Sequence, residues 1–419
     1  MSESNDTPNP KLTREQRHNF LVLLISHICT KIGDGLLNPK TTLTWLMTAL
    51  AAPSFLVGLL VPIRESGSML PQIFFSGQLR RINQRKWAWL AGAWLQGFAV
   101  AAMVPVALLL EGAIAGGIII ALLIVFSFAR SICSLTGKEI LGRTIPKQRR
   151  GRLSGWQSST SGLIVLGIGL SLGKWAGERP TLGILAALLT LSAFLWLLGG
   201  LLVAWLKEKP QRSEAKEDDS VWARASLLVR DEAFRRFVIV RSLMMGSALI
   251  TPYYVILAQQ RAEGAIGALG YLIVATGLAQ WVSSPFWGRL ADRSSRQVML
   301  RASLLAGALG ALVFALEWLR LDLMQHTWTF AAVLFVSVIA HSGIRVGRKT
   351  YVVDMAGDDM RGHYVAVSNT IMGVLLLIAG ALGALAGTFH PLAAIALFSF
   401  LCLSGSFFSR NLEEVTTNK

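Results

Sequence analysis

The chain has 419 residues, 53% of them hydrophobic and 15% charged, where soluble domains carry roughly 25% charge. Its formal net charge is +16, yet Lys and Arg alternate with long apolar runs and form no single face or tail, which argues against nucleic acid as a partner. This composition excludes a set of soluble domains and places the chain in a membrane.

The first 19 residues are polar and carry Lys11, Arg14 and Arg17. The apolar run that follows has no small-residue cleavage site, and its far end holds Lys31 and Asp34. It reads as a retained first helix, not as a signal peptide. With about 20 apolar residues needed per crossing, the first half places spans near 20–37, 51–77, 87–110, 113–137, 154–173 and 181–206. The second half places them near 237–258, 264–288, 302–318, 329–344, 365–387 and 391–409. Runs this long satisfy their backbone groups in lipid only as helices, so a barrel is excluded. Segments on the side of the termini hold 31 Lys and Arg against five on the other side (Lys40, Lys174, Arg179, Arg261, Arg320). That bias predicts both termini in the cytoplasm, in a plasma membrane of the bacterial inner-membrane type. The stretch from Lys207 to Arg236 opens with KEKPQRSEAKEDD, a solvated linker, and continues as WARASLLVRDEAFRRF, an amphipathic segment expected along the inner interface. Cys29, Cys133 and Cys402 all lie in apolar runs, without disulfide or metal spacing.

A repeat joins the halves. Gly77, Leu79 and Arg85 match Gly288, Leu290 and Arg296 at an offset of 211, which also matches Lys138 to Lys349, Arg150 to Arg361, Gly162 to Gly373 and Gly169 to Gly380. The expected fold is an all-α membrane protein of twelve transmembrane helices in two pseudo-symmetric six-helix bundles. Residues 1–206 form the N-terminal bundle, 207–236 the cytoplasmic linker and 237–419 the C-terminal bundle. Such halves place a binding site at their interface.

GRLADRSSR at 288–296, in the loop after the second helix of the second half, resembles the signature loop of the major facilitator superfamily. The first-half copy, GQLRRINQR, is degraded. The layout, the central linker and RDEAFRRF before the seventh helix are also similar to that superfamily. The resemblance covers almost the whole chain and implies a secondary transporter, without naming a substrate. It implies that Gly77, Arg81, Arg85, Gly288, Asp292, Arg293 and Arg296 form gating loops, with Asp292 in the place of the acidic residue that locks one conformation. Arg81 reverses that sign in the first half.

Ionisable residues inside spans are functional candidates, since a central charge costs about 2.5–3.5 kcal/mol on insertion scales. His27, Lys31 and Asp34 follow i, i+4, i+7 and form one stripe. Arg64 and Glu65 sit between Pro62 and Pro71 in PIRESGSMLPQ; adjacent on a helix, they point about 100° apart, so each needs a partner on another helix. Arg130, in FARSICSLTGK, resembles the arginine that proton-driven family members carry in the fourth helix, although Cys133 stands where the family has glycine. Asp34 or Glu65 with Arg130 forms a candidate proton switch. Arg241, His341 and Arg345 are the second-half candidates, and His341 matches Arg130 under the repeat offset. The fifth-helix stretch GLIVLGIGLSLGKWAG lacks the proline of the antiporter motif.

The leading expectation is proton-coupled or facilitative transport of a small solute by alternating access. Buried basic residues outnumber acidic ones, which favours an anionic or zwitterionic solute, carried by a monomer. A rival is multidrug or metabolite export through a cavity lined by Trp45, Trp94, Met244, Met245, Tyr253 and Tyr254. Another is a transport-inactive membrane sensor. No enzyme motif, cofactor motif or metal spacing is present in the sequence, and no glycine loop followed by Lys-Ser/Thr suggests ATP-driven transport.

Overall fold

A computed structural model describes residues 13–71, 82–175, 182–210, 227–356 and 361–415. Gly77, Arg81 and linker residues 211–226 lie outside the described residues.

The first span is longer than its hydropathy suggests. Helix α1 (Arg14–Leu36) starts at a capping box between Thr13 and Gln16, and after a break at 37–41 the crossing continues as α2 (Thr42–Ala49). Pro39 has no N–H, and the residue before a proline avoids helical angles, so the helix stops there. The Asn38 side chain accepts the Lys40 amide at 2.9 Å. Lys40 therefore sits in a mid-span break, not in a connecting loop, which corrects the span limits and lowers the count of basic residues on the side away from the termini from five to four.

The first half continues with α3 (Ser54–Met69), α4 (Arg85–Leu109), α5 (Gly112–Thr144), α6 (Lys147–Trp175) and α7 (Leu182–Ala204). After the short α8 (Leu227–Arg230), the seventh span is built from α9 (Glu232–Leu243), α10 (Gly246–Leu249) and α11 (Thr251–Arg261). It breaks near Pro252, at the place the repeat offset assigns to the break at Pro39. The remaining spans are α12 (Ile266–Ala291), α13 (Ser295–Trp318), α14 (Thr327–Met355), α15 (Arg361–Phe389) and α16 (Pro391–Ser409). Among the described residues, ten spans are long and apolar enough to cross a membrane by themselves. The other two places are taken by α3, with 16 described residues, and by α6, whose basic first turns and many serines and glycines lower its hydropathy.

The end of the expected interfacial segment belongs to the seventh span. Asp231 caps α9 through the Phe234 amide, and Phe234 and Phe237 are fully buried against Tyr364 and Tyr351.

The halves meet along two equivalent seams, α3 against α15 and α6 against α12, and also where α2 touches α11. A Cβ on Gly380 would stand 2.0 Å from Pro62 Cγ, and one on Gly169 would stand 2.9 Å from Ile273 Cγ2. Gly380 and Pro62 are the offset partners of Gly169 and Ile273, so the same close approach is built twice. At the end remote from the termini, both seams and an α2–α11 bond (Gln259 Nε2 to Trp45 O, 3.1 Å) close the molecule. Toward the termini the α6–α12 seam parts. A Cβ on Gly162 would meet nothing within 4 Å, and Trp281, whose offset partner Leu70 packs on Gly373, is 76% exposed.

Candidate functional site: a charged waist between the halves

The α1 stripe faces the bundle interior. His27 Nδ1 lies 2.9 Å from Gln157 Oε1, and Lys31 donates to Ser158 Oγ, both on α6. Asp34 does not pair with Lys31. It takes Arg64 Nη2 from α3 at 3.1 Å and Arg130 Nη1 from α5 on its carboxylate oxygens. One carboxylate thus ties three helices through two guanidinium groups, a charge-assisted arrangement stronger than neutral hydrogen bonding. An aromatic pair supports both cations. Arg64 lies 4.7 Å from the Phe126 ring and Arg130 5.7 Å from the Trp196 ring, while the two rings meet edge to face at 5.6 Å. The ion pair is not fully enclosed by protein: the Arg130 side chain is 32% exposed and Asp34 22%.

Glu65 points away from this triad, as adjacent helical positions require. It has no ion pair within 4 Å among the described residues, yet it acts electrostatically on Arg64, Lys40 and Arg348. Lys40 Nζ lies 3.4 Å from His341 Nε2 across the half interface. A lysine ammonium only donates, so Nε2 accepts and His341 Nδ1 donates to Ser247 Oγ at 3.1 Å. Ser247 then donates to Met244 O at 2.9 Å. His341, Arg345 and Arg348 are spaced i, i+4, i+7 on α14, the pattern of the α1 stripe.

Arg241 stands apart. It is buried in the second half and donates to Ser368 Oγ at 2.6 Å and Asn369 Oδ1 at 2.8 Å on α15. The offset partners of Ser368 and Asn369 are Gln157 and Ser158, so each half joins its first and fifth spans with polar bonds at matching places.

At the end that carries the termini, each half has its own charge network. Arg85 pairs with Glu139, and Arg143 lies 3.6 Å from Glu139 and 3.5 Å from Glu208. Glu208 also accepts the Arg85 and Lys86 amides at 3.1 and 2.9 Å, capping α4 where the helix dipole favours an anion. Arg296 pairs with Glu414 at 3.2 Å and donates to the Arg410 and Leu412 carbonyls. In the second half the loop arginine thus pairs with a glutamate just past the sixth helix, whereas in the first half the glutamate at that place, Glu208, accepts the Arg85 amide while the Arg85 guanidinium pairs with Glu139 of the fourth span. Asp292 is exposed at the C-terminal end of α12, Arg293 is exposed beside it, and neither has an ion pair among the described residues. A Cβ on Gly288 would meet nothing within 4 Å.

The aromatic and Met residues considered for a drug cavity pack elsewhere. Trp45, Met244, Met245, Tyr253 and Tyr254 are buried core residues, and Trp94 lies at the surface, bonded to Leu197 O. One hollow of about 480 Å³ lies by Trp45, Thr48 and Gln259, and another of about 540 Å³ by Leu228, Val238 and Ile371. Neither is lined by the waist charges.

The family model of the Major Facilitator Superfamily matches residues 237–418. The second half of the chain matches that family. Solved structures share its fold at low identity. A POT family transporter in complex with 5-aminolevulinic acid aligns with a TM-score of 0.73 at 12% identity, covering 94% of this chain and 96% of that one. The D-xylose-proton symporter gives 0.72 at 11%, covering 97% and 99%. A mutant form of the nucleoside transporter NupG gives 0.70 at 13%, covering 94% and 97%. No curated protein matches the sequence significantly. These likenesses show that the chain shares their fold.

Sequence reading missed Lys40 and Arg348 in the waist, and Glu139, Arg143 and Glu208 in the network at the end that carries the termini. Arg348 extends a visible i, i+4, i+7 stripe. Lys40 was hidden by the break at Pro39, which imitates a loop.

Proposed function

We propose that this protein is a membrane transporter that moves a small anionic or zwitterionic solute by alternating access, coupled to protons through Asp34. The observation that carries the reading is the Asp34 carboxylate held between Arg64 and Arg130 in a partly exposed waist. A proton on Asp34 cancels the charge that holds both guanidinium groups. Arg64 and Arg130 are then free to engage a solute anion, and α1, α3 and α5 lose the tie that fixes their spacing. Solute binding and protonation thereby act on the same three helices.

The excess of Lys and Arg on the side of the termini supports a cytoplasmic location for both ends in an inner-type membrane. With that orientation, the closed outer seams and the parted α6–α12 seam describe an inward-open state. Rocking of the halves about the waist exposes the same groups to the other side. In this state Arg85 and Arg296 bind glutamates of their own halves, and we assign the loops that carry them to gating, together with Gly77, Arg81, Gly288, Asp292 and Arg293. The site forms within one chain, so the working unit is a monomer. Export of large apolar compounds is disfavoured by the packing of Trp45, Tyr253 and Tyr254 in the core.

Asp34→Asn and Arg130→Gln, reconstituted in proteoliposomes, test the assignment. Loss of pH-gradient-driven uptake in both is expected, with solute exchange kept in Asp34→Asn. Wild-type uptake in both overturns it.

A further inference from the structure

The waist holds a second set of charges that the Asp34 triad does not use. Lys40 comes from the broken first span, and Arg345 and Arg348 come from α14 of the other half. Lys40 Nζ reaches His341 Nε2 at 3.4 Å, and Arg345 and Arg348 follow His341 by one and two turns on the same face of α14. No carboxylate lies within 4 Å of any of the three among the described residues, although Arg64, Arg130, Arg261 and Arg296 all have one. The acidic group facing them is Glu65, which stands beyond ion-pair distance. His341 offers no anionic partner, because its Nε2 accepts from Lys40 and its Nδ1 donates to Ser247.

We infer that Lys40, Arg345 and Arg348 form a binding site for a small solute with two negative charges, and that Glu65 offsets one of the three positive charges when it is empty. Three cations and one carboxylate leave two positive charges, which a phosphomonoester or a dicarboxylate neutralises. Oxygen dianions fit the donors: two guanidinium forks suit planar, paired oxygens, and the lysine adds a movable point charge. The ligand touches both halves, so its binding draws Lys40 toward α14 and links occupancy to closure of the waist. Glu65 repels the same ligand, which lowers affinity and favours release. This inference rests on the transporter reading and names its solute class.

Full-length protein in detergent tests the site without any flux. Cys29, Cys133 and Cys402 are buried, so a thiol-reactive dye reports unfolding. Inorganic phosphate and succinate are added separately against chloride at equal ionic strength. At least one dianion raises the unfolding midpoint with saturation, since a ligand bound only to the native state stabilises it; which of the two does so identifies the oxygen chemistry. Arg348→Gln and Lys40→Gln bind that dianion about tenfold to a hundredfold less tightly, as expected for loss of one charged hydrogen bond. Glu65→Gln binds it more tightly. Lys174→Gln, remote from the waist, keeps wild-type affinity. Arg345→Gln, at an exposed position, supplies the loss if another variant fails to elute as folded protein. No shift beyond chloride with either dianion, or an equal shift in the folded Arg-to-Gln variants, overturns the inference. Site-dependent binding without any flux would instead remove the transport reading, and flux of a neutral solute without dianion binding would remove only this site.

Discussion

The glycine seam gives the sharpest test of alternating access. In Gly380→Ala, the added Cβ would lie 2.0 Å from Pro62 Cγ and 2.5 Å from Pro62 Cβ. A proline ring has no rotamer to move into, so α15 must draw away from α3. Overpacking of this kind costs about 1–3 kcal/mol, and the penalty applies only in the state where the outer seam is closed. At 1.4 kcal/mol per tenfold, the balance shifts about 5- to 150-fold toward the outward-open state. The Gly162→Ala variant is the internal reference, because its Cβ would meet nothing within 4 Å. The assay is labelling of Thr48→Cys, placed in the hollow at the outer end, by an impermeant maleimide added outside right-side-out vesicles; the three native thiols are buried. Faster labelling with Gly380→Ala and no change with Gly162→Ala is expected. Equal labelling rates in both backgrounds would refute the seam mechanism.

Other outcomes follow from single contacts. Arg261 Nη2 holds Glu317 Oε2 at 2.8 Å, and the Glu317 side chain is 5% exposed. Arg261→Gln should lower stability by about 2 kcal/mol, less than the loss for a fully buried pair because Arg261 itself is a third exposed. Adding Glu317→Gln should recover most of that loss in a thermal double-mutant cycle. Glu208→Gln removes the anion at the α4 N-terminus and should cost about 1 kcal/mol. Faster hydrogen exchange at the Arg85 and Lys86 amides would report it, with unchanged exchange in α16 as the control.

Much of the architecture was legible in the sequence, because hydropathy, basic-residue bias and the 211 offset each reflect a property that survives without coordinates. The broken spans were not. Around Asn38, Pro39 and Lys40 hydropathy falls as it does in a loop, while Pro252 lies among apolar residues and leaves hydropathy unchanged. Helical spacing correctly turned His27, Lys31 and Asp34 inward and separated Arg64 from Glu65. Which arginine met which carboxylate depended on helix rotation within the bundle, and Asp34 proved to take both Arg64 and Arg130. The same rotation buried Tyr253 and Tyr254 in the core. Arg241 showed an apolar context and a charge, but its partners Ser368 and Asn369 lie more than a hundred residues away and carry no signal of their own.

The central claim is that protons and solute share the waist. Proton movement during solute addition, read by a trapped pH dye in proteoliposomes, tests it most directly. The account predicts that wild-type protein moves protons with solute, and that Asp34→Asn exchanges solute with no pH change. A solute-driven pH change of wild-type size in Asp34→Asn would contradict it.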